Sequence, residues 1–335
     1  MNYISLETLM NDIRDSINLL SKHNFDLVVG IPRSGMIPAY LISLYLNIDV
    51  TDVNSFILNT PIQRGSTRTS GKRIYNPHDA QRILLVDDSF STGKSMRNIL
   101  DSIPVDLKKN IKTMVAYTSD VNGAGLDIYI RHVSHPRLFE WNILNHSIIS
   151  NSCFDIDGVL CVDPNELQND DGENYIKFIC EAEPKFIPKF KIKYLVTNRL
   201  EKYRDITEAW LLKNNIQYEK LIMLNMATKE ERQSAGIHSR HKAEFYKRSG
   251  CDLFVESDIN QAIEIMKYTG KYVYCIDNNR MYSPSAIQFL SKRPLDFMND
   301  IILYLPRILY RRLPLETKMA IKKRFSRYNA CLPFG

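Results

Sequence analysis

The sequence predicts an α/β protein with two doubly wound parallel-sheet domains, residues 1–150 and 151–290, followed by a basic helical tail over 291–335. Two observations carry that expectation. Seven short, β-rich apolar runs alternate with amphipathic stretches, the pattern of buried parallel strands joined by helical crossovers. The chain also has 335 residues, more than one hydrophobic core usually takes.

The runs are FDLVV (25–29), RILLV (82–86), IKTMVAYT (111–118), SCFDI (152–156), KIKYLV (191–196), DLFV (252–255) and KYVYCI (271–276). Ahead of them, MNYISLETLMNDIRDSINLL mixes charges with apolar residues at helical spacing. It therefore predicts an amphipathic helix and not a signal peptide. The polar stretch LNHSIISNS (144–152) is the predicted seam between the domains. No apolar run approaches the roughly 18 residues of a membrane span.

Composition narrows the class. At 44% hydrophobic and 24% charged residues, the chain reads as an ordinary globular protein. Its six cysteines (153, 161, 180, 251, 275, 331) include no CxxC pair, which argues against a zinc ribbon, a redox dithiol or a secreted disulfide framework. A reducing cytoplasm is the expected location. The net charge of +6 is uneven: residues 291–335 hold ten Lys/Arg against three Asp/Glu, a balance of +7, so the rest sums to −1.

In parallel α/β sheets the chemistry collects at the carboxyl ends of strands, and the informative residues fall there. ILLVDDSFSTGKSM (83–96) runs from a strand through Asp87 and Asp88 into small residues and a helix start. Ser91, Thr92, Gly93, Lys94 and Ser95 offer hydroxyls and backbone N–H groups to a phosphate. A Walker A loop fails on spacing, because its first glycine would fall on Asp88. Earlier, VVGIPRSGMIPA (28–39) forms a second short loop with Gly30, Arg33, Ser34 and Gly35, whose guanidinium and backbone donors suit a diphosphate. Between them lies NTPIQRGSTRTSGKR (59–73), with Arg64, Arg68, Lys72 and Arg73.

This set resembles the type I phosphoribosyltransferases. The resemblance implies that Asp87 and Asp88 hold the ribose 2- and 3-hydroxyls of phosphoribosyl pyrophosphate (PRPP) and that Ser91–Ser95 grip its 5-phosphate. It further implies that Arg33, Ser34 and Gly35 bind pyrophosphate, that Arg64, Arg68, Lys72 and Arg73 belong to a mobile loop closing over it, and that Mg²⁺ assists. GLDIYIRHVSHPRLFEWNI (125–143) displays no acceptor pocket specific for a purine or a pyrimidine.

A second site begins at FDIDGVLCVDP (154–164), where Asp155 and Asp157 follow a strand and Gly158 turns the chain. Carboxylates two apart in extended backbone share a face, so one can attack phosphorus while the other protonates the leaving oxygen. The run lacks the spaced oxygen ligands of an EF-hand. DxDGVL resembles the first motif of the haloacid-dehalogenase superfamily, and later motifs follow in order: LVTNR (195–199), then HKAEFYKRSGCDLFVESD (241–258). The resemblance implies Asp155 as nucleophile, Asp157 as general acid/base, Thr197 as a phosphate-binding hydroxyl and Lys242 as the cation. The implied magnesium ligands are Asp155, Asp157, Glu256 and Asp258. Lys247 and Lys229 compete for the cation's place, and ESD where two aspartates are commoner leaves open which acid binds the metal. About forty residues separate the first motif from the second, and about forty-five the second from the third, too few for a large inserted lid, so a bulky phosphate ester is expected to enter.

The tail mixes Ile, Leu, Tyr and Phe with Arg and Lys around Pro306 and Pro314. Such a segment suits the inner face of a membrane as an interfacial helix pair, or a terminal helix docked on its own protein; nucleic-acid binding is not expected. Pairing a phosphoribosyltransferase with a phosphatase suggests sequential steps: transfer of 5-phosphoribosyl from PRPP to a glycan acceptor, lipid-linked in the membrane reading, then removal of the 5-phosphate to leave ribofuranose. The pairing resembles the two-activity route of bacterial surface polysaccharides such as O antigen and capsule. Alternatives are a nucleobase phosphoribosyltransferase with an attached nucleotidase, and a non-catalytic PRPP sensor. A homo-oligomer is compatible with the sequence, which leaves the oligomeric state open.

Overall fold

A computed structural model of the protein describes residues 1–65, 74–120, 125–225 and 238–284. Met1–Met281 form one compact unit and Tyr282–Gly335 another. The tail prediction, 291–335, lies outside the described residues.

The amino terminus opens with a short strand, β1 (Asn2–Ile4), and helix α1 (Leu6–Ser21). Ser5 caps that helix, its Oγ accepting the Thr8 N–H at 3.0 Å, and Leu9, Ile13 and Leu20 form its buried stripe. Then follow β2 (Leu27–Gly30), α2 (Met36–Leu46), β3 (Asp49–Asp52), α3 (Val53–Ile57), β4 (Ile83–Phe90), α4 (Lys94–Ser102), α5 (Val105–Lys108), β5 (Ile111–Thr118) and β6 (Ile128–His132). These strands make a five-stranded sheet in the order β3-β2-β4-β5-β6, with every pair parallel. Ile83, Leu84, Leu85 and Val86 of the central strand are fully buried, because helices cover both faces of a parallel sheet.

The second sheet uses β8 (Ser152–Phe154), β9 (Ile192–Leu200), β10 (Tyr218–Leu224), β11 (Leu253–Glu256), β12 (Tyr272–Cys275) and β13 (Arg280–Tyr282). Their order is β10-β9-β8-β11-β12-β13. Among the described residues four helices accompany it: α6 (Glu173–Glu181), α7 (Arg204–Lys213), α8 (His238–Arg248) and α9 (Ile259–Thr269).

In both sheets the chain order reverses about one strand: β2 lies between β3 and β4, and β8 between β9 and β11. A crevice opens at such a switch point beyond the strands' carboxyl ends. Gly30 and Asp87 stand at the first, Asp155 at the second.

The predicted seam, residues 144–152, lies between the strands of the two sheets. It carries the end of one 3-10 turn, Glu140–Asn145, and the whole of another, Ser147–Asn151. Ile143 and Ile149 from these turns are buried in the second sheet's core with Phe154 and Ile156. The polar letters masked an apolar residue every few positions. A further strand, β7 (Arg137–Phe139), pairs with β1 and brings the amino terminus against the second sheet: the Met1 ammonium donates to Tyr272 Oη at 2.8 Å, and Tyr3 Oη donates to the Asn279 carbonyl at 2.8 Å. Among the described residues no helix is long and apolar enough to cross a membrane.

Candidate active sites

At the first switch point, β4 delivers Asp87 and Asp88 side by side, both buried. Asp87 Oδ1 accepts the Asp88 N–H at 2.8 Å, and Asp88 Oδ2 accepts the Trp141 indole N–H at 2.8 Å. Burial and the neighbouring Asp88 charge push Asp87 up to about 7. The chain then leaves the strand through exposed Ser91 and Thr92. Gly93 turns it at φ 70°, where a Cβ would strike the Phe90 ring at 2.4 Å, so glycine is required there. Helix α4 starts at Lys94 with no side-chain cap. The first-turn N–H groups of such a helix suit an anion.

The loop after β2 closes the other side. A Cβ on Gly35 would lie 2.8 Å from Asp87 Oδ1, so the absence of a side chain lets this loop approach the acid. Arg33 is exposed, Ser34 half-buried, and the Pro32–Arg33 peptide is cis. The structure thus brings the two sequence-predicted loops together, Gly35 against Asp87. Of the four mobile-loop cations, Arg64 is paired: its Nε donates to buried Asp49 at 2.8 Å, and its Nη2 also bonds Asp49 and the Ile74 carbonyl. Arg64 thus anchors the start of the segment to Asp49, a buried carboxylate. Arg68, Lys72 and Arg73 lie outside the described residues.

At the second switch point a cavity of about 320 Å³ is lined by Asp155, Asp157, Thr197, Lys242, Glu256 and Asp258, together with Asp163, Asn198, Ser257, Gln261 and Asp277. Lys242 Nζ sits at its floor, 2.6 Å from Asp155 Oδ2, 2.8 Å from Glu256 Oε2 and 3.0 Å from Gln261 Oε1. Burial alone would lower this ammonium's pKa, but the Asp155 and Glu256 carboxylates raise it, so it stays charged. Burial raises Asp155 against the opposing pull of Lys242, and burial likewise lifts Glu256 to about 7. Lys247 instead lies over the Tyr268 ring at 5.2 Å, and Lys229 is outside the described residues.

Asp157 is held by Arg199, fully buried, whose Nη2 lies 2.6 Å from Asp157 Oδ1. Asp258 is exposed and caps α9, its Oδ1 accepting the Gln261 N–H at 2.8 Å. Gly158 at φ 74° leaves room for Ser257 and Asp163; a Cβ there would meet Ser257 Oγ at 2.2 Å. Removing Arg199 leaves Asp157 without its main partner, and breaking a buried pair in this way costs about 3–5 kcal/mol. Arg199→Leu is therefore expected to unfold at markedly lower urea concentration than wild type, by about that amount of free energy.

The donor chemistry suits magnesium. Six carboxylates face the cavity (Asp155, Asp157, Asp163, Glu256, Asp258, Asp277) against one ammonium, Lys242. Burial and the nearby Asp157 and Asp155 charges push Asp163 up to about 6. A phosphate ester would be repelled unless a hard cation entered with it. Among the described residues, no three His, Cys, Asp or Glu side chains are grouped to hold an ion; Mg²⁺ commonly uses one or two carboxylates, waters and the substrate's phosphate instead.

Residues 3–130 match the family model described as a phosphoribosyl transferase domain. This part of the chain is similar to a phosphoribosyl transferase domain. Over 101 residues the chain is 32% identical to the xanthine-guanine phosphoribosyltransferase of Chromohalobacter salexigens, covering 30% of this chain and 60% of that relative's length. Among solved structures it is similar to the purine phosphoribosyltransferase of Pyrococcus horikoshii (23% identity, TM-score 0.31, 42% of this chain and 92% of that one). It is also similar to the xanthine-guanine-hypoxanthine phosphoribosyltransferase of Helicobacter pylori (15%, 0.32, 42% and 93%). Likenesses of that size carry no weight for function.

Around the two sites the sequence singles out none of Trp141, Arg137 and Gln261, while Arg199 stands in LVTNR. Trp141 and Arg137 reach the first site from beyond the sheet, Arg137 Nη2 donating to the Phe90 carbonyl at 2.7 Å. Arg199 and Gln261 bind the second site's Asp157 and Lys242. Arg199 was legible as a cation beside a motif; Trp141 and Gln261 carried no signal, since only the fold brings them near.

Proposed function

We propose that this protein transfers the 5-phosphoribosyl group of PRPP at its first site, with release of pyrophosphate, and hydrolyses a phosphate monoester at its second. The observation that carries the reading is the meeting of the Gly30–Gly35 loop with Asp87 and Asp88 at the phosphoribosyltransferase-type domain's switch point. Asp87 and Asp88 accept the ribose hydroxyls, Ser91–Ser95 the 5-phosphate, and Arg33–Gly35 the pyrophosphate. The bond from the anomeric carbon to pyrophosphate breaks as an acceptor attacks the opposite face, and the cationic charge at the loop stabilises the departing anion. Magnesium bound with PRPP supplies further charge neutralisation.

At the second site the lining resembles a haloacid-dehalogenase-type phosphatase. Asp155 attacks phosphorus and forms an aspartyl phosphate; the ester P–O bond breaks and Asp157 protonates the leaving oxygen. Water then attacks the phosphorus, Asp157 takes its proton, and phosphate leaves. Lys242 holds Asp155 in place, Thr197 and Asn198 line the phosphate's side, and Asp155 with Glu256 or Asp258 would hold Mg²⁺, which screens the incoming anion.

For the acceptor, the sequence similarity to a xanthine-guanine phosphoribosyltransferase supports a nucleobase, making the second site a nucleotidase. The ribofuranose reading, with a glycan acceptor, is the second one; the pairing of the two sites favours it, because a phosphatase would finish what the transferase starts. Purified protein with PRPP, Mg²⁺ and separate panels of nucleobases and glycans distinguishes them. Nucleotide formation supports the first and ends the second; phosphopentosyl glycan does the reverse.

PRPP binding should depend on pH through Asp87. Its raised pKa means the carboxyl is mostly protonated below about 7, while ribose hydroxyls donate to the ionised form. The KM for PRPP is therefore expected to fall as pH rises from 6 to 8, and Asp87→Asn to flatten that profile. The same raised pKa contributes stability at acid pH that is lost as pH rises through about 7, so tighter binding is accompanied by a weaker fold.

A further inference from the structure

Two side chains from one short segment hold the functional turn of β4. Trp141 Nε1 donates to Asp88 Oδ2 at 2.8 Å; Arg137 Nη2 donates to the carbonyl of Phe90, the last residue of β4, at 2.7 Å. Phe139 lies between them, stacked on Trp141 at 4.8 Å and 17° and on Tyr117 at 5.7 Å and 28°, with the Arg137 guanidinium 5.6 Å from its ring centre. Asp87 differs: its Oδ1 takes a main-chain N–H from Asp88. Leu138 from the same segment is 1% exposed and packs in the second sheet's core with Phe154 and Ile156, which flank Asp155.

We infer that Arg137–Trp141 is a positioning element for PRPP: Trp141 orients Asp88 toward the ribose hydroxyls and Arg137 fixes the end of β4 from which the phosphate loop departs. The inference rests on the PRPP reading of the first site. Its physical basis is occupancy. With Oδ2 held by the indole donor, the Asp88 carboxylate loses less rotational freedom when the sugar binds. Both hydrogen bonds fall on β4, so the effect is expected at the ribose 5-phosphate end. Leu138 anchors the element in the other half of the unit, which makes the sugar grip depend on a core outside the phosphoribosyltransferase-type domain.

Calorimetry of the full chain with PRPP, ribose 5-phosphate and magnesium pyrophosphate tests this. Trp141→Phe keeps the stacked ring and removes the donor. It should weaken PRPP and ribose 5-phosphate by about tenfold to a hundredfold, the range for a hydrogen bond to a charged group, and leave pyrophosphate affinity as in wild type. In kinetics the loss should fall on the KM for PRPP more than on kcat. Arg137→Lys should give the same pattern, and serves if Trp141→Phe does not fold. Equal weakening of all three ligands would mean general structural damage and overturn the positioning role, as would unaltered binding of ribose 5-phosphate. Wild-type protein that binds neither PRPP nor ribose 5-phosphate would instead overturn the phosphoribosyl reading, and this inference with it.

Discussion

Asp155→Asn is expected to reduce phosphate release by about 10³-fold or more, the scale on which loss of a nucleophile acts. An amide matches the carboxylate in shape and still offers an oxygen to Lys242, which lies 2.6 Å from Asp155 Oδ2, so the fold should survive while the attacking charge disappears. Lys242 would keep Glu256 as a partner at 2.8 Å, so the substitution does not strand it. Phosphate release measured with a simple aryl phosphate and Mg²⁺ checks the result. A variant within about tenfold of wild type would mean that Asp155 is not the attacking group.

The second large effect is expected at the other site. Asp87→Asn combined with Asp88→Asn should lower PRPP-dependent pyrophosphate release by about 10²- to 10³-fold, because two charge-assisted hydrogen bonds to the sugar are lost where charge develops in the transition state. Both acids are buried, and removing two adjacent carboxylates also relieves their mutual repulsion, so melting should hold or rise while activity falls. That opposition between stability and turnover is what a structural pair would not give. Pyrophosphate release and a thermal melt on the same preparation decide it; unchanged release would remove the acids from the sugar site.

Most of the architecture was legible because buried parallel strands are written as uninterrupted apolar runs. IKTMVAYT coincides with β5, and ILLV forms the start of β4. What escaped was amphipathic or short: β7 carries Arg137, and β3 reads DVTD, sequences whose strand character comes from pairing and not from propensity. The acids at the two switch points were visible because charges directly after an apolar strand have few other uses. Their partners were not. Trp141 lies 53 positions beyond Asp88, Lys242 lies 87 beyond Asp155, and such distances close only through the sheet order. Lys242 could be named from its motif, yet only burial separates it from Lys247. Arg64 shows the converse: a cation in a polar loop looked free, and the buried Asp49 that engages it was not suspect in the sequence.

The most direct test of the central claim, that one chain adds an activated pentose phosphate and then removes its phosphate, is a ³¹P NMR time course with PRPP, Mg²⁺ and an acceptor from the panel. Wild-type protein is expected to show pyrophosphate first, then inorganic phosphate drawn from a transient 5-phosphopentosyl product, and Asp155→Asn to stop at that product. Inorganic phosphate without any pentose reaching the acceptor, or a wild-type product that keeps its 5-phosphate indefinitely, would contradict the account.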